Sequence, residues 1–162
     1  MPATAQLFNV TKAPFDPANP GSVIVTAVSL LFYSIFNDPI AKTGGIPYDN
    51  GSTQYVGSAN DPKLNAEVER VESDGRARAY ARRFYQPNGA LHAPLVTLHN
   101  TLDPVVPFQH EVTYSNLVAQ RRKSAFLNIL PVARYGHCNF TTQEVVEAFA
   151  LTVQQAEAQL VN

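Results

Sequence analysis

Two short apolar runs near the carboxyl end constrain the fold of this chain more than any other feature. Leu95-Val96-Thr97-Leu98 is apolar and partly β-branched, and it stops at the polar His99-Asn100-Thr101, as a buried strand does on running into a loop. Phe126 to Val132 is the second such run. Between them stand two helix-start signals, Pro104 and Pro107, and then a segment from Phe108 to Lys123. That segment carries Val112, Leu117 and Val118 among polar residues and predicts a helix covering one face of a sheet. A strand, a crossover helix and a second strand close as a parallel pair, because the helix returns the chain to its starting end. The fold class is therefore α/β, with a βαβ unit whose loops leave the carboxyl ends of two parallel strands. Open α/β sheets place their chemistry on that rim.

Each of the two loops carries one titratable side chain. Asp103 lies in the loop after the first strand, and His137, in Tyr135-Gly136-His137-Cys138, comes five residues after the predicted second strand. An acid beside an imidazole holds the ring in one tautomer and stabilises its cation, while the imidazole takes a proton from a hydroxyl nucleophile. Taken on spacing alone, the two are more readily read as an ordinary loop acid and an ordinary loop histidine than as a functional pair.

Leu98-His99-Asn100-Thr101-Leu102-Asp103-Pro104-Val105-Val106-Pro107 resembles the acid loop of α/β-hydrolase-fold enzymes. Gly136-His137-Cys138-Asn139-Phe140 resembles the histidine loop of the same family, particularly its esterase-like members. The likeness covers the chain from about Pro94 onward, and the region before it resembles a lid. It implies a carboxylic-ester hydrolase with Asp103 and His137 as catalytic acid and base, acting on a small ester-type substrate without a cofactor. In that family the nucleophile precedes the acid, on a Gly-x-Ser-x-Gly turn that needs glycine two residues either side of the serine. None of Ser22, Ser29, Ser34, Ser52, Ser58 or Ser73 is flanked this way; Ser73 has Gly75 after it but Val71 before it. The expectation is a truncated α/β-hydrolase-like chain that carries acid and base without the usual elbow. Ser34, on an apolar helical stretch, and Cys138, next to His137, are the substitute nucleophiles to weigh. Each has a plain structural reading: a helical serine bonds the carbonyl one turn back, and a loop cysteine packs.

Composition narrows the function classes. With 12 basic and 13 acidic residues the formal charge is −1, and Arg121-Arg122-Lys123 is the one dense basic run. Phosphate-backbone binding draws on clustered cations, so no nucleic-acid partner is expected, and that run reads as cations closing a helix. His99, Asp103, His110 and His137 match no helical ligand spacing, and no metal is expected. The one cysteine cannot form an intrachain disulfide. No signal peptide is read at the start, and the longest apolar stretch, Val23 to Phe36, is too short for a bilayer, so no membrane partner is expected.

Upstream, residues 1–20 carry Pro14, Pro17 and Pro20 and are expected to be extended. Ser22 to Asn37 reads as a helix with Ile24, Val28, Leu31 and Ile35 on one stripe, and Asp38-Pro39 ends or kinks it. Thr43 to Gly51 is a loop. Asp61-Pro62 starts a helix to about Glu72, and Asp74 another to about Tyr85. Thr141 with Glu144 forms a capping box for the last helix, whose apolar stripe is Val146, Phe149 and Val153. Pro87-Asn88-Gly89 is the best internal boundary, giving a helix-rich, lid-like region at 1–87 and a two-strand parallel βαβα unit at 88–162. Two strands make a poor sheet with unpaired edges, which predicts a homo-oligomer or a partner chain that completes it.

Overall fold

The computed structural model describes residues 1–25 and 38–160, and these fall into two compact units, Met1–Gln86 and Pro87–Asn162. The described residues mix helices with one small parallel sheet, compatible with an α/β class in the broad sense.

In the first unit the opening residues depart from expectation. Ala3–Thr11 is a helix (α1), capped at its carboxyl end by Lys12 in the left-handed conformation. The prolines do not prevent it: Pro2 sits where a helix start tolerates it, and Pro14, Pro17 and Pro20 all come after the last turn. Ala13 and Val23 form a small core with Leu7 and Phe15. Helix α2 is Ser22–Val25; the rest of the apolar helix expected to Asn37, with Ser29 and Ser34, lies outside the described residues. Asp38–Thr43 (α3) has Pro39 in its first turn, and it packs on α5, Gly75–Phe84, whose Asp74 cap accepts from the N–H groups of Arg76 and Ala77.

The helix begun at Asp61-Pro62 (α4) stops at Glu67, short of Glu72. A long-range clamp takes the residues beyond it. Asn50 pairs with Val71 through both main chain and side chain, at 3.1 and 2.7 Å, and the Arg70 guanidinium reaches the carbonyls of Asn50, Thr53 and Asn65. Those bonds need an extended backbone, and Val68 already has one.

The second unit is built on strands β1, Leu95–Leu102, and β2, Leu127–Tyr135, paired in parallel. Both are longer than the apolar runs predicted. His99 and Asn100 stay in the ladder despite their polarity, because their side chains find hydrogen-bond partners in the neighbouring loops. Phe126 instead belongs to a short 3₁₀ turn leading into β2. Leu95 stands opposite Leu127 and Asn100 opposite Val132, but Leu102 stands opposite Tyr135, so β2 holds one extra residue at its end. Such a bulge bends the strand and re-aims the residues beyond it. Here those residues are the histidine loop, and His137 comes two positions after the strand rather than five.

The crossover is helix α6, Gln109–Gln120, with Val118 buried against the sheet side. Gly89 lies so close to Leu117 that a Cβ there would stand 2.5 Å from the Leu117 carbonyl carbon, and its φ is +70°. Helix α7, Thr142–Leu160, packs on β1. Its predicted capping box is present: the Thr141 N–H donates to Glu144 Oε2 at 2.7 Å, and the Glu144 N–H donates to Thr141 Oγ1 at 3.2 Å. Its apolar stripe is not buried, however. Val145, Val146 and Phe149 are exposed, Phe149 by 70%.

Candidate active site

The end of β1 and the two loops beside it assemble one polar constellation. Asp103 is buried, 3% exposed, and each carboxylate oxygen has its own task. Oδ1 accepts from the N–H groups of Val105 at 2.7 Å and Val106 at 2.9 Å, closing the acid loop on itself. Oδ2 lies 2.8 Å from Nδ1 of His137. The two side chains singled out in the sequence therefore meet, 34 residues apart along the chain. Burial disfavours the Asp103 carboxylate, but the Val106 N–H, His137 and the Val105 N–H together outweigh it and hold the carboxyl below its usual range. An ionised Asp103 can only accept, so Nδ1 of His137 carries the ring proton and donates. The lone pair of the neutral ring is then on Nε2. Among the described residues nothing bonds that atom, and the His137 side chain is 46% exposed.

The histidine loop is held by groups that sequence reasoning missed. Asn100 is fully buried. Its Oδ1 accepts the Asn139 N–H at 2.9 Å and its Nδ2 donates to the Asn139 carbonyl at 3.2 Å, so one side chain binds both main-chain groups of a residue two after His137. Arg134 donates to the same carbonyl at 2.6 Å and forks onto Glu144 with two 3.0 Å bonds. That fork, with the Thr141 N–H, brings the Glu144 carboxyl down to about 2. Gly136 takes φ +122°, open only to glycine in practice.

His99 occupies the other side of the acid loop. Nε2 lies 2.8 Å from the Val106 carbonyl oxygen and 3.7 Å from Asp103 Oδ2, while Nδ1 lies 3.2 Å from Glu111 Oε1 on α6. His110, the remaining member of the metal set weighed in the sequence, is exposed on α6. Among the described residues no group of three or more His, Cys, Asp or Glu is placed to hold a metal ion.

The candidate nucleophiles fare differently. Ser34 lies outside the described residues. Cys138 is exposed, with φ +51°, and no hydrogen bond joins its thiol to His137. Ser58 donates to Asp61 at 2.6 Å and Ser73 reaches Asp49 at 3.4 Å, so both hydroxyls are engaged within the first unit. Among the described residues no serine hydroxyl bonds the His137 ring. No helix there is long and apolar enough to cross a membrane.

The arrangement can abstract a proton from a group presented to Nε2 and return it, with Asp103 steadying the cation formed in between. Comparison of the chain with protein-family models, curated proteins and solved structures returned no match.

Proposed function

We propose that Asp103 and His137 are the acid and base of a hydrolytic site of the α/β-hydrolase kind, acting on small carboxylic esters. The observation that carries this is the 2.8 Å contact between a buried, ionised carboxylate and a solvent-facing imidazole, both leaving the carboxyl ends of paired parallel strands. His137 acts as general base through Nε2 and Asp103 as the residue that orients it. In this reading the hydroxyl nucleophile presented to Nε2 is supplied by another chain. Among the described residues the two strands leave one edge each without a partner, and the exposed stripe on α7 adds uncovered apolar surface. Both features favour association with a second copy or a strand-bearing partner.

The test is hydrolysis of short p-nitrophenyl esters by the full chain, alone and at rising concentration. The expected result is turnover that His137→Ala removes, with a fluorophosphonate probe attached to a serine. No turnover, no labelling and a monomeric mass by light scattering at micromolar concentration would overturn the proposal. They would support a second reading, a folded chain that keeps the pair without catalysis, which the lack of a bonded hydroxyl at His137 among the described residues favours.

A further inference from the structure

Both ring nitrogens of His99 face acceptors. Nε2 lies 2.8 Å from the Val106 carbonyl oxygen, which has no proton to give. Nδ1 lies 3.2 Å from Glu111 Oε1, and the other Glu111 oxygen takes the Thr97 hydroxyl at 2.8 Å. A neutral imidazole with an ionised carboxylate supplies one proton for two contacts. The second must come from elsewhere, and of the two groups the imidazole is ordinarily the stronger base.

We infer that His99 is an imidazolium held between Glu111 and Asp103, and that it is the positioning residue that sets the acid of the pair. The ring is nearly enclosed. Glu111 faces it from α6, Asp103 from the acid loop, and the Phe108 ring stands across it at 80° with 5.6 Å between ring centres, with His137 beyond Asp103. One cation between the buried Asp103 and the half-buried Glu111 leaves neither acid uncompensated. The mechanical effect comes from the bonds. Val106 is gripped from both sides, its N–H by Asp103 Oδ1 at 2.9 Å and its carbonyl by His99 at 2.8 Å. With the loop fixed, Oδ1 stays committed to the Val105 and Val106 N–H groups, and Oδ2 is presented to His137. Thr97 and Glu111 keep the ring from turning.

The role assigned to His99 rests on reading Asp103 and His137 as an acid–base pair, but its test does not need turnover. Two-bond proton–nitrogen spectra of the full chain, labelled at histidine, report which ring nitrogens carry protons. At neutral pH His99 is expected to show both nitrogens protonated. Glu111→Gln is nearly isosteric and lets the amide donate to Nδ1, so a single ring proton on Nε2 then satisfies every contact. In that variant His99 is expected to become neutral while the hydrogen-bonded Nδ1 proton of His137 persists. His99→Ala, or His99→Asn where alanine prevents folding, is expected to lose the His137 resonance with the β1 and β2 amides still protected. A neutral His99 in the unaltered chain would overturn the inference, as would a His137 resonance indifferent to loss of His99. Absence of ester hydrolysis would leave it standing and count only against the hydrolytic function.

Discussion

Asn100→Ala separates a side chain that positions the site from one that merely fills space. The substitution deletes two hydrogen bonds to Asn139, at 2.9 and 3.2 Å. Their loss is not symmetrical. The Asn139 carbonyl keeps the 2.6 Å bond from Arg134, whereas the N–H loses its protein partner. At roughly 1 kcal/mol net for each bond, the histidine loop should be loosened by about 2 kcal/mol. That corresponds to roughly thirtyfold more frequent opening, since about 1.4 kcal/mol is tenfold. The assay is native-state hydrogen exchange, read at the Asn139 amide with the α6 amides as an internal control. Asn100→Asp refines the test. It keeps an acceptor for the N–H but turns a second acceptor on the carbonyl, so its folded form resists ionisation. A folded pKa raised above the unfolded one gives full stability at low pH, lost as pH climbs past the unfolded value near 3.9. The deficit of Asn100→Asp should therefore be smallest below about pH 4 and grow above it. Acceleration of the Asn139 amide by less than about threefold in Asn100→Ala would refute the account.

Two further outcomes test the frame around the site. Gly89→Ala would force a Cβ to 2.5 Å from the Leu117 carbonyl carbon at a φ of +70°, and backbone cannot give way as a side chain can. A loss of about 3 kcal/mol in urea unfolding is expected, and tolerance of the change would show the close approach to be unimportant. Glu144 has a carboxyl lowered to about 2 from 4.5, so its contribution is complete above the upper value and is lost as pH falls through the lower. Acid unfolding of Glu144→Gln should accordingly lack the part of the pH dependence between about pH 5 and pH 2 that the unaltered chain shows. Equal slopes in the two proteins would contradict it.

The legible parts of this chain are those encoded locally. Two apolar runs with a helix between them point to a parallel pair, and loop position picks out Asp103 and His137, which do meet. The Thr141–Glu144 box lies within four residues and is legible for that reason. Other features are set at a distance. Helix α4 stops at Glu67 because Asn50 and Arg70 claim the next segment, and nothing within Asp61–Glu72 announces that. Helix α1 is hidden for a different reason, since a count of prolines ignores where along the helix they stand. Strand β2 runs three residues past the apolar run, to Tyr135, so His137 follows it by two positions rather than five, and the register shift there depends on the partner strand. The contacts of Asn100 and His99 likewise span 39 and 12 residues.

His99 and Asn100 are neighbours in β1, and adjacent strand residues address opposite faces of a sheet. One ties down the acid loop and the other the histidine loop. A single inserted or deleted residue upstream in β1 that shifted its pairing with β2 by one would turn both side chains to the opposite face at once, and both loops would lose their ties together. Length changes within this strand should therefore be poorly tolerated, and any redesign that grafts the pair elsewhere must carry both neighbours in phase.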